Sequence, residues 1–176
     1  MHRPIPTLVI TGPVGVGKTT TAMLIAEHLE DHGLPYALID LDWMRWCRPA
    51  PPDDPFHTEL GLHNLESIWQ NYHRHGAARL ILVDVVESRA MLDAYRRAIP
   101  GALVTLVRLH AALATIHGRL QQREQGSGLA WHRQRASELS AQMERDALED
   151  LRIETTGKEA LAVAHEILQR TQWMPA

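Results

Sequence analysis

A glycine-rich segment near the start of the chain carries its clearest chemical signal. Residues 12–19 read Gly-Pro-Val-Gly-Val-Gly-Lys-Thr and match the pattern G-x-x-x-x-G-K-[ST] at every fixed position. Glycines let backbone N–H groups turn towards phosphates, and the positive end of the following helix adds to the attraction. The pattern predicts that Lys18 binds the β- and γ-phosphates and that Thr19 binds Mg²⁺. The residues expected to hold the nucleotide are Gly12, Val14, Gly15, Val16, Gly17, Lys18, Thr19 and Thr20.

The use of lysine in this chain supports that interpretation. The chain contains 16 arginines but only two lysines, Lys18 and Lys158. A chain that otherwise uses arginine for positive charge therefore has a lysine at the position where the pattern needs one. Neither lysine lies in the N/T-K-x-D segment with which GTPases bind guanine, so we expect ATP, together with Mg²⁺, as the cofactors.

Three aspartates follow apolar runs of strand length. Asp40 and Asp42 follow the second run, and Asp84 ends the third. Ligands gather at the carboxyl ends of parallel strands, so all three are expected near the γ-phosphate. Asp84 fits a carboxylate that holds Mg²⁺ through water, with Glu87 as a weaker candidate, and Asp40 would share the ion or support Asp42. The alternative is that these aspartates only cap the turns after the strands.

Two arginines precede a glycine-rich break in the second half of the chain. Arg119 and Arg123 lie one helical turn apart, shortly before Gly126-Ser127-Gly128. Such a break can act as a hinge, which predicts a helical lid at about residues 119–140 that places arginines over the phosphates and excludes water. The alternative is that these arginines are solvated surface residues.

Apolar runs alternate with segments of helical period along the whole chain, which predicts an α/β fold with helices on both faces of a mostly parallel, five-stranded sheet. Residues 48–57 contain four prolines and are expected to form a loop. Ser88 is a candidate cap for the fourth helix, and Thr156 with Glu159 has the spacing of a capping box. The predicted strands are 7–10, 36–39, 80–83, 103–107 and 151–153, and the predicted helices are 20–32, 62–76, 88–99, 112–124, a polar helix ending near 149, and one from 156.

Composition limits the class of protein. The 176 residues suit a single domain over positions 1–176. A net charge of −3 argues against a nucleic-acid or membrane-surface partner. The single cysteine, Cys47, excludes an internal disulfide and fits a reducing compartment. With no signal-peptide pattern and no apolar run long enough to span a bilayer, we expect a cytoplasmic protein. The sequence allows a monomer or a homodimer.

The segment from Ile39 to Arg45, Ile-Asp-Leu-Asp-Trp-Met-Arg, resembles the D-x-D-x-x-R motif of adenylylsulfate-kinase-like P-loop kinases. Gluconate- and shikimate-type kinases also place acidic residues at this point. The resemblance implies a three-layer, doubly wound P-loop NTPase fold with strand order 2-3-1-4-5 and a helical lid. It also implies that Asp42 is the acceptor-positioning base, and that Arg45 clamps the acceptor. The substrate-loop sequence of adenylylsulfate kinases is not found after the lid, which leaves the acceptor open.

These features favour a kinase that moves the γ-phosphoryl group of ATP to a hydroxyl of a small molecule that is nucleotide-, nucleoside- or sugar-like. A 5′-hydroxyl polynucleotide kinase is an alternative because of Asp42-x-x-Arg45, although the acidic pI of about 6.4 opposes it. A nucleotide-binding regulatory or ATPase module without a metabolic acceptor is a second alternative. Trp43 and Trp46 flank Arg45 and could form an aromatic wall beside the acceptor, but packing is the commoner role of such residues.

Overall fold

Strands and helices alternate along the chain in the computed structural model, which describes residues 4–124, 126 and 128–173. The strands are β1 (Ile5–Thr11), β2 (Ala37–Asp40), β3 (Leu80–Val83), β4 (Ala102–His110) and β5 (Leu151–Glu154). The helices are α1 (Lys18–Asp31), α2 (Leu41–Met44), α3 (Thr58–Arg74), α4 (Arg89–Ala98), α5 (Leu113–Arg123), α6 (Gly128–Asp146) and α7 (Ala160–Thr171).

The five strands form one parallel sheet in the order β2-β3-β1-β4-β5, which confirms the predicted order. Successive side chains of a strand point to opposite faces, so β1 contributes to two cores. Leu8 and Ile10 pack in one core with residues of α1 and α7, whereas Val9 packs in the other with residues of α3 and α4. The sheet is therefore covered on both faces, as the prediction of a three-layer fold requires.

Two predicted helix caps do not form as expected. α7 begins at Ala160, and Glu159 stands at its N-cap without a side-chain hydrogen bond to the helix. Thr156 is not part of a capping box, because its Oγ1 accepts the N–H of Ala112 at 2.9 Å. Ser88 stands at the N-cap of α4, as predicted, but makes no capping hydrogen bond with its side chain.

Other differences from the predicted elements are small. The prediction missed α2, a helix of four residues that follows β2 without a linker. Residues 48–57 contain neither helix nor strand, as their prolines predicted. Ser127, at the centre of the predicted hinge, lies outside the described residues. Among the described helices, none is both long enough and apolar enough to cross a membrane.

Candidate active site

The glycine-rich loop lies between β1 and α1 and packs tightly against β4 and α5. Gly12 has a φ of +147°, and a Cβ atom there would stand 2.6 Å from the carbonyl oxygen of Leu109. Gly15 has a φ of +82°, and its Cβ would stand 2.7 Å from Cγ of Leu120. Both positions therefore need glycine for backbone conformation and for space. This packing fixes the loop at the carboxyl end of β1, where phosphates are expected.

Lys18 lies across this loop at the start of α1. Its Nζ donates to the carbonyl oxygens of Gly12 at 3.0 Å and Pro13 at 3.3 Å. Burial lowers the pKa of Lys18, and the nearby carboxylates, of which Asp42 acts most strongly, oppose that shift. An ammonium group already removed from water interacts more strongly with an anion than an exposed one does.

Thr19 and Asp40 form a second polar contact beside the loop. The Thr19 hydroxyl donates to Oδ2 of Asp40 at 2.8 Å, and Oδ1 of Asp40 accepts the N–H of Asp42 at 3.1 Å. Burial raises the pKa of Asp40, while the hydrogen bond from Thr19 lowers it. A hydroxyl and a carboxylate are oxygen donors of the kind that Mg²⁺ prefers, and Mg²⁺ usually keeps several waters and takes few protein ligands. The part of the chain that the structure describes contains no group of three or more His, Cys, Asp or Glu residues arranged to hold a metal.

Arg45 and Asp84, which the sequence assigned to the acceptor and to Mg²⁺, are bonded to each other. Nη2 of Arg45 lies 2.5 Å from Oδ2 of Asp84. The same Oδ2 atom accepts the hydroxyl of Tyr95 at 2.5 Å, and Oδ1 accepts the N–H of Val85 at 2.8 Å. Asp84 is fully buried. Arg45 borders the cleft described below, whereas Asp84 does not.

The charges of this pair depend on each other. Burial raises the pKa of Asp84, and the Arg45 guanidinium opposes that shift. Burial is the strongest single influence on Arg45 and disfavours its charge, but the Asp84 carboxylate, together with smaller contributions from other nearby groups, raises the pKa of Arg45 overall. Burial, reinforced by the Asp84 carboxylate, holds the pKa of Tyr95 well above its ordinary value, so Tyr95 stays a hydrogen-bond donor. The group is an ion pair with a neutral donor, and it fixes the end of β3 to α2 and α4.

Arg119 and Arg123 both border the same cleft but differ in their contacts. Nη1 of Arg119 donates to the carbonyl oxygen of Val16 at 2.8 Å and to Oγ1 of Thr155 at 3.2 Å. Its Nη2 donates to the carbonyl oxygen of Thr155 at 3.1 Å. Arg119 thus joins the glycine-rich loop to the connection between β5 and α7. Arg123 is exposed, and its Nη2 lies 2.8 Å from Oε1 of Glu124.

A continuous cleft of about 740 Å³ is bordered by most of these groups, but not by Asp40 or Asp84. One part of its wall is the glycine-rich loop with Lys18, Thr19, Arg119, Thr155 and Lys158. The other part is formed by α2, the proline-rich segment, the start of α4 and one side of α6. The residues that border the cleft on this second part include Asp42, Arg45, Trp46, Arg48, Phe56, Glu87, Met91, Trp131 and Arg135.

Several residues that shape this site have no functional role in the sequence analysis. Tyr95 lies inside the predicted helix 88–99, and its bond to Asp84 has no local signal in the sequence. Gly61 lies under Arg45, since a Cβ there would stand 2.8 Å from Nε of Arg45. Phe56 was missed although it is the only phenylalanine in the chain and lies in the proline-rich segment, a composition unusual enough to have marked it.

Comparisons with known proteins identify similar structures but no similar sequence family. No protein-family model matches the chain, and no curated protein matches it either. A tunicamycin resistance protein from Deinococcus radiodurans is 21% identical, with 95% of each chain covered and a TM-score of 0.69. A gluconokinase from Sinorhizobium meliloti 1021 is 18% identical, with 98% of each chain covered and a TM-score of 0.61.

An APS kinase from Mycobacterium tuberculosis, solved with AMPPNP and APS, is similar to the same degree. It is 18% identical, with 97% of this chain and 99% of that chain covered, and its TM-score is 0.62. These similarities show that the chain has the fold found in P-loop small-molecule kinases, as its sequence predicted. At this level of identity they show the fold alone.

Proposed function

We propose that this protein transfers the γ-phosphoryl group of Mg·ATP to a hydroxyl group of a small molecule. The observation that carries the proposal is that one cleft is bordered both by the glycine-rich loop with Lys18 and by the exposed carboxylate of Asp42. A kinase must hold the nucleotide and the acceptor in one enclosed space, because catalysis of this transfer depends mainly on positioning and electrostatics.

The nucleotide half of the cleft is assigned to residues 12–20. Backbone N–H groups of the loop and the buried ammonium of Lys18 would bind the β- and γ-phosphates in place of the loop carbonyls that Lys18 now contacts. Thr19, with Asp40 bonded to it, would hold Mg²⁺. Asp84, which the sequence predicted to hold the ion through water, is fully buried and does not border the cleft, so we assign it to the ion pair with Arg45 instead. When bound, Mg²⁺ supplies positive charge that offsets the charge on the phosphates. Arg119 would lie beside the nucleotide, and its bonds to Val16 and Thr155 would hold it there.

The acceptor half is assigned to Asp42 and Arg45. The acceptor oxygen attacks the γ-phosphorus, the bond from that phosphorus to the β–γ bridging oxygen breaks, and ADP leaves. Asp42 orients the acceptor hydroxyl and takes its proton. Arg45 would clamp the acceptor on the side that borders the cleft, and Arg123 would bring positive charge from the lid, which we place at about residues 119–140. A cytoplasmic location, and a monomer or homodimer as the assembly, stay predictions.

The decisive experiment compares Asp42→Asn with a matched variant, Asp93→Asn, at an exposed aspartate that does not border the cleft. ADP formation and phosphorylated product are measured with Mg·ATP over a panel of acceptor alcohols, and ATP binding is measured separately. We expect Asp42→Asn to reduce transfer by about 10²- to 10⁴-fold while ATP affinity is unchanged. Asp93→Asn should match the unmodified protein in both measurements.

Two results would contradict the proposal. The first is Asp42→Asn with full transfer activity, which would remove its role as base. The second is a protein that binds ATP but forms ADP at one low rate with every acceptor, which would favour the regulatory or ATPase module.

A further inference from the structure

Three large aromatic side chains are exposed in the acceptor half of the cleft. The exposed fractions are 77% for Trp46, 55% for Phe56 and 52% for Trp131, and all three border the cleft. They come from separate parts of the chain: the residues after α2, the proline-rich segment and α6. A single exposed aromatic residue is ordinary, but several that converge on one concave surface mark a binding site for an apolar group.

Neighbouring side chains support two of these rings. The ring centroids of Trp43 and Trp46 lie 5.1 Å apart, with an angle of 40° between the planes. The guanidinium carbon of Arg135 lies 5.8 Å from the centroid of Phe56. Contacts of this kind restrict the rings before a ligand arrives and so reduce the entropy lost on binding.

Two of the three arginines in the same half of the cleft are already bonded to carboxylates. Arg45 lies 2.5 Å from Asp84, and Arg135 pairs with Glu87. Arg48 also borders the cleft, but it is exposed, so water and salt screen its charge. An anionic acceptor would meet the carboxylates of Asp42 and Glu87, and Asp84 already balances the charge of Arg45. The charge distribution therefore disfavours acceptors that carry a carboxylate or a sulfate.

We infer that the acceptor is an uncharged alcohol that carries a flat, apolar ring system. Its ring would stack between Trp46, Phe56 and Trp131, and its hydroxyl would point towards Asp42. This inference rests on the proposed function, and it specifies the substrate class of the same site.

The test is a comparison of three groups of acceptors with Mg·ATP, read by mass spectrometry of the phosphorylated product. The first group contains uncharged ring-bearing alcohols, represented by nucleosides and aryl-substituted diols. The second contains ringless polyols, represented by glycerol and sorbitol. The third contains the anionic alcohols gluconate, shikimate and adenylylsulfate. We expect the highest kcat/KM in the first group.

Variants then test the exposed aromatic side chains of the cleft with the best acceptor of the first group. Trp46→Ala and Phe56→Ala should each raise the KM for the acceptor about tenfold and leave kcat and the KM for ATP unchanged, because ring stacking binds the ground state and the transition state alike. Tyr72→Ala is the matched control, since Tyr72 is an exposed aromatic residue of α3 that does not border the cleft. It should change neither constant.

The outcomes separate this inference from the proposed function. A higher kcat/KM for an anionic or ringless acceptor overturns the substrate class and leaves the kinase intact. An unchanged KM for the acceptor in both Trp46→Ala and Phe56→Ala, or an equal rise in Tyr72→Ala, overturns the role of these aromatic side chains in acceptor binding. Absence of product from all three groups overturns the inference and the proposed function together.

Discussion

Replacement of Arg45 by methionine would remove the cation that faces the buried carboxylate of Asp84. Asp84 is fully buried and the Arg45 side chain is only 12% exposed, so water cannot take the place of the guanidinium. The remaining partners of the carboxylate, the hydroxyl of Tyr95 and the N–H of Val85, are neutral. Removal of one partner of a buried ion pair typically costs about 3 to 5 kcal/mol, and we expect a loss of unfolding free energy in that range.

A double-mutant cycle separates the interaction from the loss of packing. Asp84→Asn alone leaves Arg45 without its carboxylate, whereas Arg45→Met with Asp84→Asn removes both charges. We expect the double variant to lose less stability than the sum of the two single variants, by about 2 kcal/mol. The measurement is equilibrium unfolding in urea for all four proteins. The slope of unfolding free energy against urea concentration must be the same in all four.

The pH dependence gives a second, independent readout. Burial raises the pKa of Asp84, and Arg45 opposes that shift, so the pKa rises further in Arg45→Met. The folded variant then keeps this proton to a higher pH than the unfolded chain does, and its unfolding free energy falls as pH rises through that interval. The stability that Arg45→Met lacks relative to the unmodified protein, measured as unfolding free energy, should therefore be smallest in acid and largest at neutral pH. Additive losses in the cycle, or a deficit independent of pH, would refute the reasoning.

Two further predictions concern other positions of the fold. Gly61→Ala would place a Cβ atom 2.8 Å from Nε and 2.9 Å from Cγ of Arg45, so the side chain must move, at a cost of about 1 to 3 kcal/mol. Gly118 lies in a helix with open space around it, so Gly118→Ala should instead raise the unfolding free energy by about 0.5 to 1 kcal/mol. The measurement is urea unfolding, and a change of the same sign in both variants would contradict this reasoning. Asp54 accepts the N–H groups of Thr58 and Glu59 at 2.8 and 3.0 Å, so Asp54→Ala should cost about 1 kcal/mol at neutral pH. These bonds lower the pKa of Asp54, so its contribution to the unfolding free energy is complete above the ordinary aspartate pKa and disappears as pH falls through the lowered value. The thermal unfolding curves of Asp54→Ala and the unmodified protein should therefore converge in acid, and curves that stay apart would count against this role.

The parts of the fold that could be predicted have local signals in the sequence. The run Leu80–Val83 is apolar at every position because both faces of β3 are covered, and its bounds match the prediction. The glycine-rich loop was identified because phosphate binding, the function proposed for it, requires fixed residue types at fixed spacing. Arg119 borders the cleft, but its contact with the phosphates stays a prediction.

The parts that could not be predicted depend on contacts between distant residues. Arg45 and Asp84 are 39 positions apart, and whether two charged groups meet is set by the packing of α2 against β3. Tyr95 has the periodicity of a core residue, which hides the use of its hydroxyl. Thr156 fits a capping box by spacing, but the N–H of Ala112, 44 residues away, takes its hydroxyl oxygen. Spacing alone cannot indicate such competition for a polar group.

The position of the two lysines affects how this protein can be handled and probed. Lys18 and Lys158 both border the cleft, so apart from the amino terminus every primary amine of the chain lies at the proposed nucleotide site. Reagents that acylate amines, or surfaces that immobilise proteins through them, would therefore react at the amino terminus and where the molecule is expected to bind ATP, with Lys18 the less accessible of the two lysines because it is buried. The 16 arginines do not react with such reagents, so most of the protein's positive charge would stay unmodified. Protection of the lysines from acylation by added nucleotide thus becomes a direct measure of occupancy, without any knowledge of the acceptor.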